Sequence, residues 1–145
     1  MRSFKYTIRI ERSPAQVWAF MMDFTKAPRW HDHVREVRIL TEGPLRVGTE
    51  LQITFALPGR VHTTRCEVCA FETARRFGLR SVTKKATGTF EYLLAPDRGG
   101  TVVTFTCNLR PSGVMWLLLP LMVRTNRERF AEHLPGLKRE VERSE

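Results

Sequence analysis

The sequence has no continuous apolar stretch near the roughly 20 residues that a membrane-spanning helix needs. The longest, "VMWLLLPLMV" from Val114 to Val123, is far shorter, and Pro120 interrupts it. The N-terminus "MRSFKYTIRIERS" alternates charged and apolar residues, so no signal peptide is expected and a cytoplasmic location is. Acidic residues are scarce: 15 Asp and Glu stand against 24 Lys and Arg, for a formal charge of +9. Such an excess favours anionic partners. The basic residues are nonetheless spread along the whole chain and accompany no reader motif, so nucleic acid is not an expected partner.

Cysteine is also scarce. Three residues cannot build a disulfide framework. Cys66 and Cys69 form a C-x-x-C, but "VHTTRCEVCAFE" is a β-type stretch, where residues three apart point to opposite faces. Neither the helix-leading turn of a redox pair nor the second ligand pair of a zinc site accompanies it, so reduced structural thiols are expected. Linkers, repeats and low-complexity tracts are missing too. The 145 residues are read as a single domain over 1–145, long enough to bury roughly 70% of the unfolded surface.

Periodicity supplies the elements. "RSFKYTIRI" alternates strictly, with Phe4, Tyr6, Ile8 and Ile10 on one face of a strand. "RSPAQVWAFMMDF" reads as a helix capped by Ser13, with Pro14 at its first position and Val17, Phe20, Met21 and Phe24 on the core side. "TKAPRWHDHV" is a short turn or a single helical turn. "VREVRIL", "TELQITFAL", "RVHTTRCEVCAFE", "RRFGLRSV", "GTFEYLLA" and "TVVTFTCNL" follow as strands joined by short turns, a meandering antiparallel sheet of about seven strands in all. From Ser112 the period changes to helical, and Pro120 and Pro135 are expected to bend or split the long final helix.

The segment "SPAQVWAFMMDFTKAPRWHDHVREVRI", Ser13 to Ile39, carries Pro14, the pair Val17–Trp18, then Asp23, Pro28 and Trp30 in the pattern D-x-x-x-x-P-x-W. With the closing "LKREVE" and the element order, it resembles the helix-grip fold of the START and birch-pollen-allergen superfamily, in its polyketide cyclase/dehydrase-like branch. The resemblance implies an α+β architecture: a long C-terminal helix across a curved antiparallel sheet, two short helices after the first strand, and an apolar ligand cavity between sheet and helix. Members of that superfamily transport lipids, bind isoprenoids or plant hormones, or cyclise and dehydrate polyketides. The fold therefore leaves the chemistry open.

Strand alternation selects the inner face independently. Sending Arg65, Glu67, Arg80 and Glu91 to water turns His62, Thr64, Cys66 and Val68 inward, with Phe77, Leu79 and Ser81, Phe90 and Tyr92, and Val103, Phe105 and Cys107. Leu51, Ile53 and Phe55 join them. Apolar walls with a few polar groups are the composition of a ligand pocket; each polar residue alone fits a filled core better, and it is several together on one face that point to a cavity. On the final helix Asn126 lies four residues from both Met122 and Phe130, on the apolar stripe, and His133 falls on the same side. The expected ligand-binding set is Trp30, Phe55, His62, Thr64, Ser81, Phe90, Tyr92, Phe105, Asn126 and Phe130.

"WHDH" offers His31 and His33 two apart, which does not match a helical metal pair, and no third ligand is guaranteed. Trp30 is expected to plug one end of the cavity, with His31, Asp32 and His33 as its hydrated rim. The sequence thus points to binding or carriage of a hydrophobic small molecule such as a lipid, isoprenoid or polyketide-like compound, with no metal and no cofactor. The alternative is a polyketide cyclase or dehydratase in which Tyr92 or His62 shuttles protons. A third reading is an interaction domain using Val114–Val123, through a homodimer contact or an anionic membrane surface, although a plain buried segment is the simpler expectation for that stretch.

Overall fold

The computed structural model describes residues 2–144. Its single sheet has seven antiparallel strands in the order β1-β7-β6-β5-β4-β3-β2. They are β1 (Arg2–Ile10), β2 (Val34–Ile39), β3 (Glu50–Leu57), β4 (Arg60–Glu72), β5 (Arg76–Val82), β6 (Ala86–Asp97) and β7 (Gly100–Pro111). From β2 to β7 the chain is a meander in which each strand pairs with the next. β1 then closes against β7 in register from Arg2 opposite Leu109 to Ile10 opposite Thr101. The β6–β7 hairpin turns through Arg98 and Gly99, both at positive φ, a backbone twist that suits two-residue hairpins. Register shifts at Val34/Glu36 and Val68/Ala70 are bulges, which bend their strands and sharpen the local twist.

Between β1 and β2 lie α1 (Pro14–Met22), a 3-10 turn (Phe24–Lys26) and α2 (Ala27–Trp30). Ser13 caps α1 in a reciprocal box: its hydroxyl accepts from the Gln16 amide at 3.2 Å, and the Gln16 side chain accepts from the Ser13 amide at 3.1 Å. The C-terminal helix is split into a 3-10 stretch (Gly113–Leu118), α3 (Leu119–Phe130) and α4 (His133–Arg143). Pro120 and Pro135 each fall in the first turn of their own segment, where a missing N–H costs nothing. The split therefore lies between them, at Ala131 and Glu132.

The core joins the inner sheet face to one side of the helices. Ile10, Val17, Val68, Val103, Phe105 and Leu137 are fully buried in one cluster. α4 packs against β1 and α2. The α2–α4 approach is close: a Cβ on Gly136 would lie 2.2 Å from the Trp30 carbonyl oxygen. Glu140, a buried carboxylate on α4, reaches Arg29 on α2 at 3.3 Å.

The expectation of a buried Val114–Val123 segment is overturned. Leu119 and Val123 are buried, but Val114, Trp116, Leu117, Leu118 and Leu121 are exposed, Leu117 at 84%. Val114, Trp116, Leu117 and Leu118 lie on the 3-10 stretch, none of whose residues is buried, and Leu121 lies on a face of α3 opposite the buried Leu119 and Val123. Among the described residues no helix is long and apolar enough to cross a membrane.

Candidate functional site

Between the inner sheet face and α3 lies a cavity of about 230 Å³. β3 supplies Ile53 and Phe55, β5 supplies Leu79 and Ser81, β6 supplies Phe90 and Tyr92, and α3 supplies Met122, Asn126, Arg129 and Phe130. A smaller lobe of about 70 Å³ extends toward α1 and α2, walled by Met21, Phe24, Trp30 and Phe77. His31, Val34, Ile53, Leu79 and Tyr92 line both lobes.

The residues chosen by strand alternation mostly converge here. Phe55, Thr64, Ser81, Phe90, Tyr92, Asn126 and Phe130 line the main cavity. His62 does too, but at its mouth: it is exposed, and its Nε2 lies 2.8 Å from the Thr64 hydroxyl. One Asn126 N–H donates to the Met122 carbonyl at 2.9 Å, which satisfies part of the amide within its own helix. Phe105 is the departure. It is fully buried behind Tyr92, Phe130 and His133, with ring centroids 4.9, 5.0 and 4.5 Å away, and it lines neither lobe. It belongs to the floor of the core. Trp30 walls only the smaller lobe.

The expected hydrated rim at "WHDH" is corrected for its first histidine. Asp32 is exposed and His33 half-buried, but His31 is 4% exposed. After the single turn of α2 the backbone becomes extended at His31, which directs the imidazole beneath α3 and α4. Its ring centroid lies 5.0 Å from His133, 5.2 Å from Phe130 and 6.2 Å from Phe55. Neither ring nitrogen has a hydrogen-bond partner among the described residues. The nearest carboxylate oxygen, on Asp32, is 4.0 Å from Nδ1, too far for a hydrogen bond. Burial, then the nearby His133, depress the His31 pKa well below the usual histidine value, so the ring is neutral.

His133, the first residue of α4, is sealed in the same cluster. Its Nδ1 lies 2.5 Å from the Phe130 carbonyl, a contact in which Nδ1–H donates and Nε2 is left as an unpartnered acceptor. Burial pushes its pKa down to about 4. The Trp30 Nε1–H is likewise buried without a partner. Buried polar atoms of this kind are uncommon, and each costs stability until something meets it. Burial also raises the Tyr92 hydroxyl pKa, so Tyr92 keeps its proton and remains a donor.

The cysteines are reduced. Cys66 is buried in the cavity wall and Cys69 half-buried at the β4 bulge. Burial pushes the Cys66 thiol up to about 11 and Cys107 up to about 12, which makes both poor nucleophiles. Among the described residues no three His, Cys, Asp or Glu side chains are grouped to hold a metal ion.

Solved structures share this architecture along nearly the whole chain. TTHA0849 from Thermus thermophilus superposes with a TM-score of 0.79 at 17% identity, covering 97% of both chains. The Zhui aromatase/cyclase from Streptomyces sp. R1128 gives 0.78 at 16%, covering 98% of this chain and 94% of its own. A START superfamily protein from Mycobacterium smegmatis gives 0.78 at 13%, covering 97% of both. At such identities the likeness is one of fold. No curated protein matches the sequence. The sequence profile of the family described as polyketide cyclase / dehydrase and lipid transport, however, matches residues 1–142, and the chain belongs to that family.

Proposed function

We propose that this protein binds a small hydrophobic molecule in the cavity between its sheet and α3. The observation that carries the reading is the cavity itself: about 230 Å³ of space behind mostly apolar and aromatic walls. Ligand pockets are built this way, and burying apolar ligand surface at roughly 25 cal/mol per Å² supplies the affinity. The volume lies just below the roughly 300 Å³ at which ordinary ligand pockets begin, which favours a mono- or bicyclic compound or a short chain over a two-chain lipid. Ser81, Asn126 and the Tyr92 hydroxyl are the groups that orient it.

The test is a calorimetric titration with 2-methoxynaphthalene, an uncharged bicyclic probe, against the wild type and Ser81→Phe. Ser81 is 6% exposed and lines the cavity, so the larger ring fills it. Binding by the wild type and its loss in a folded Ser81→Phe support the reading. Equal binding by both, or none by either, overturns it.

The neutral His31 imidazole beside the two lobes favours a second reading, a cyclase. There His31 accepts a proton and Tyr92 donates one while the walls hold a folded poly-ketone. His62 lies at the mouth, whereas His31 borders both lobes. Turnover of a synthetic poly-ketone that disappears in His31→Phe supports this reading; turnover that survives the substitution refutes it.

A further inference from the structure

The mouth of the cavity is lined by two cations and, among the described residues, by no acid. The cations are Lys85, from the β5–β6 turn, and Arg129, on α3. The Arg129 guanidinium sits over the Phe55 ring, its carbon 5.4 Å from the centroid. It forms no ion pair among the described residues, whereas Arg124 one turn earlier pairs with Glu128 at 3.2 Å. The charged neighbour that Arg129 feels most is another cation, Arg60 on β4. A partly desolvated guanidinium without a counter-ion is unfavourable, and one placed in a cavity wall faces whatever enters the cavity.

A position in the last turn of α3 explains a cation in general, because it complements the helix dipole. It explains Arg127, which is exposed, equally well. It does not explain why the Arg129 fork is turned into the cavity wall, over an aromatic ring. Met122, Asn126 and Arg129, spaced four and then three residues apart, form the helix face that looks on the ligand space.

We propose that the molecule bound here is an amphipathic organic acid, its apolar body in the cavity and its carboxylate at the mouth between Arg129 and Lys85. The planar guanidinium fork matches a carboxylate in two parallel hydrogen bonds, with Lys85 as a second point charge. The proposal rests on the ligand-binding reading above and adds the chemical class.

The experiment compares 2-naphthoate with its uncharged methyl ester by calorimetry in the wild type, Arg129→Met and Lys85→Met. The expected result is that the wild type binds the acid about tenfold or more tightly than the ester. Arg129→Met still binds the ester measurably but has lost the preference, read as the ratio of acid to ester affinity within the variant, and Lys85→Met, altered at an exposed side chain, has a reduced one. Retained ester binding shows that the Arg129→Met cavity is intact; were that variant unfolded, Lys85→Met alone decides. Equal binding of acid and ester by the wild type, or an undiminished preference in the variants, overturns the proposal while the ligand-binding reading survives. Binding of neither compound by the wild type overturns both.

Discussion

Gly136→Ala is the sharpest test of the seam that positions His31. In an exposed helix interior this change stabilises by about 1 kcal/mol, because alanine is the better helix former. Here the new Cβ would stand 2.2 Å from the Trp30 carbonyl oxygen and 3.2 Å from its carbon. Close carbon–oxygen contacts in proteins lie near 3.3 Å, so α4 must retreat from α2 by about 1 Å. Neither partner yields easily: the oxygen is backbone, and Arg29 and Glu140 tie the two helices together nearby at 3.3 Å. Overpacking of this kind costs roughly 1–3 kcal/mol, and an overlap of about 1 Å against backbone falls at the upper end, about 2–3 kcal/mol, which outweighs the propensity gain. The expected net loss is about 1–2 kcal/mol, a fall in Tm of about 3–8 °C for a chain of this length. Thermal unfolding followed by circular dichroism reads it directly. Because Trp30, His31 and His133 pack across the same seam, ligand affinity falls as well. A rise in Tm would refute the argument, since it would mean that α2 and α4 do not meet closely enough to fix His31.

The buried histidines set a pH dependence. His133 is held near 4 in the folded protein against about 6.5 in the unfolded chain, and His31 is depressed in the same direction, so between those values the unfolded state binds more protons. Stability is complete above about pH 6.5 and falls as the pH drops toward 4, by up to about 1.4 kcal/mol per pH unit for each histidine. Urea midpoints at pH 7 and pH 5 measure this: the wild type loses stability at pH 5, and His133→Phe flattens the dependence; an unchanged wild-type midpoint contradicts the assignment. With a thiol reagent at pH 8 Cys69 reacts slowly in the folded protein, and Cys66 and Cys107 react only on unfolding; immediate reaction of Cys66 or Cys107 would show that they are not buried. Leu117→Lys, at a side chain 84% exposed, shifts Tm by no more than about 2 °C, and a larger loss would mean the 3-10 segment is packed.

What the sequence disclosed followed from local rules. The strands announced themselves by alternation, and β7 obeys it fully: Val103, Phe105 and Cys107 are all completely buried. Ser13 and Pro14 fixed the start of α1 because a cap and an N1 proline act within one turn. Placing Phe105 in the ligand space failed because alternation tells which face a side chain takes but not what stands in front of it. Tyr92 and Phe130 occupy that space first.

His31 escaped for a different reason. "WHDH" is polar, short and adjacent to a turn, and every local cue places it in water. Its burial is decided by α4, more than a hundred residues later, whose Gly136 lets the helix close over the end of α2. The glycine beside Pro135 in the first turns of α4 was the trace of that contact in the sequence, because glycine lowers helix propensity and fits where a neighbour comes too near for a Cβ. Arg129 was hidden by its company, since it stands in a run with Arg124 and Arg127 that reads as a solvated face. Helical spacing from Met122 and Asn126 separates it from them: Arg129 shares their face and the other two do not. In this family fold the local patterns specify the walls. The polar features of this cavity, an imidazole without a partner among the described residues and a guanidinium without an ion pair among them, come from contacts between elements far apart in the chain.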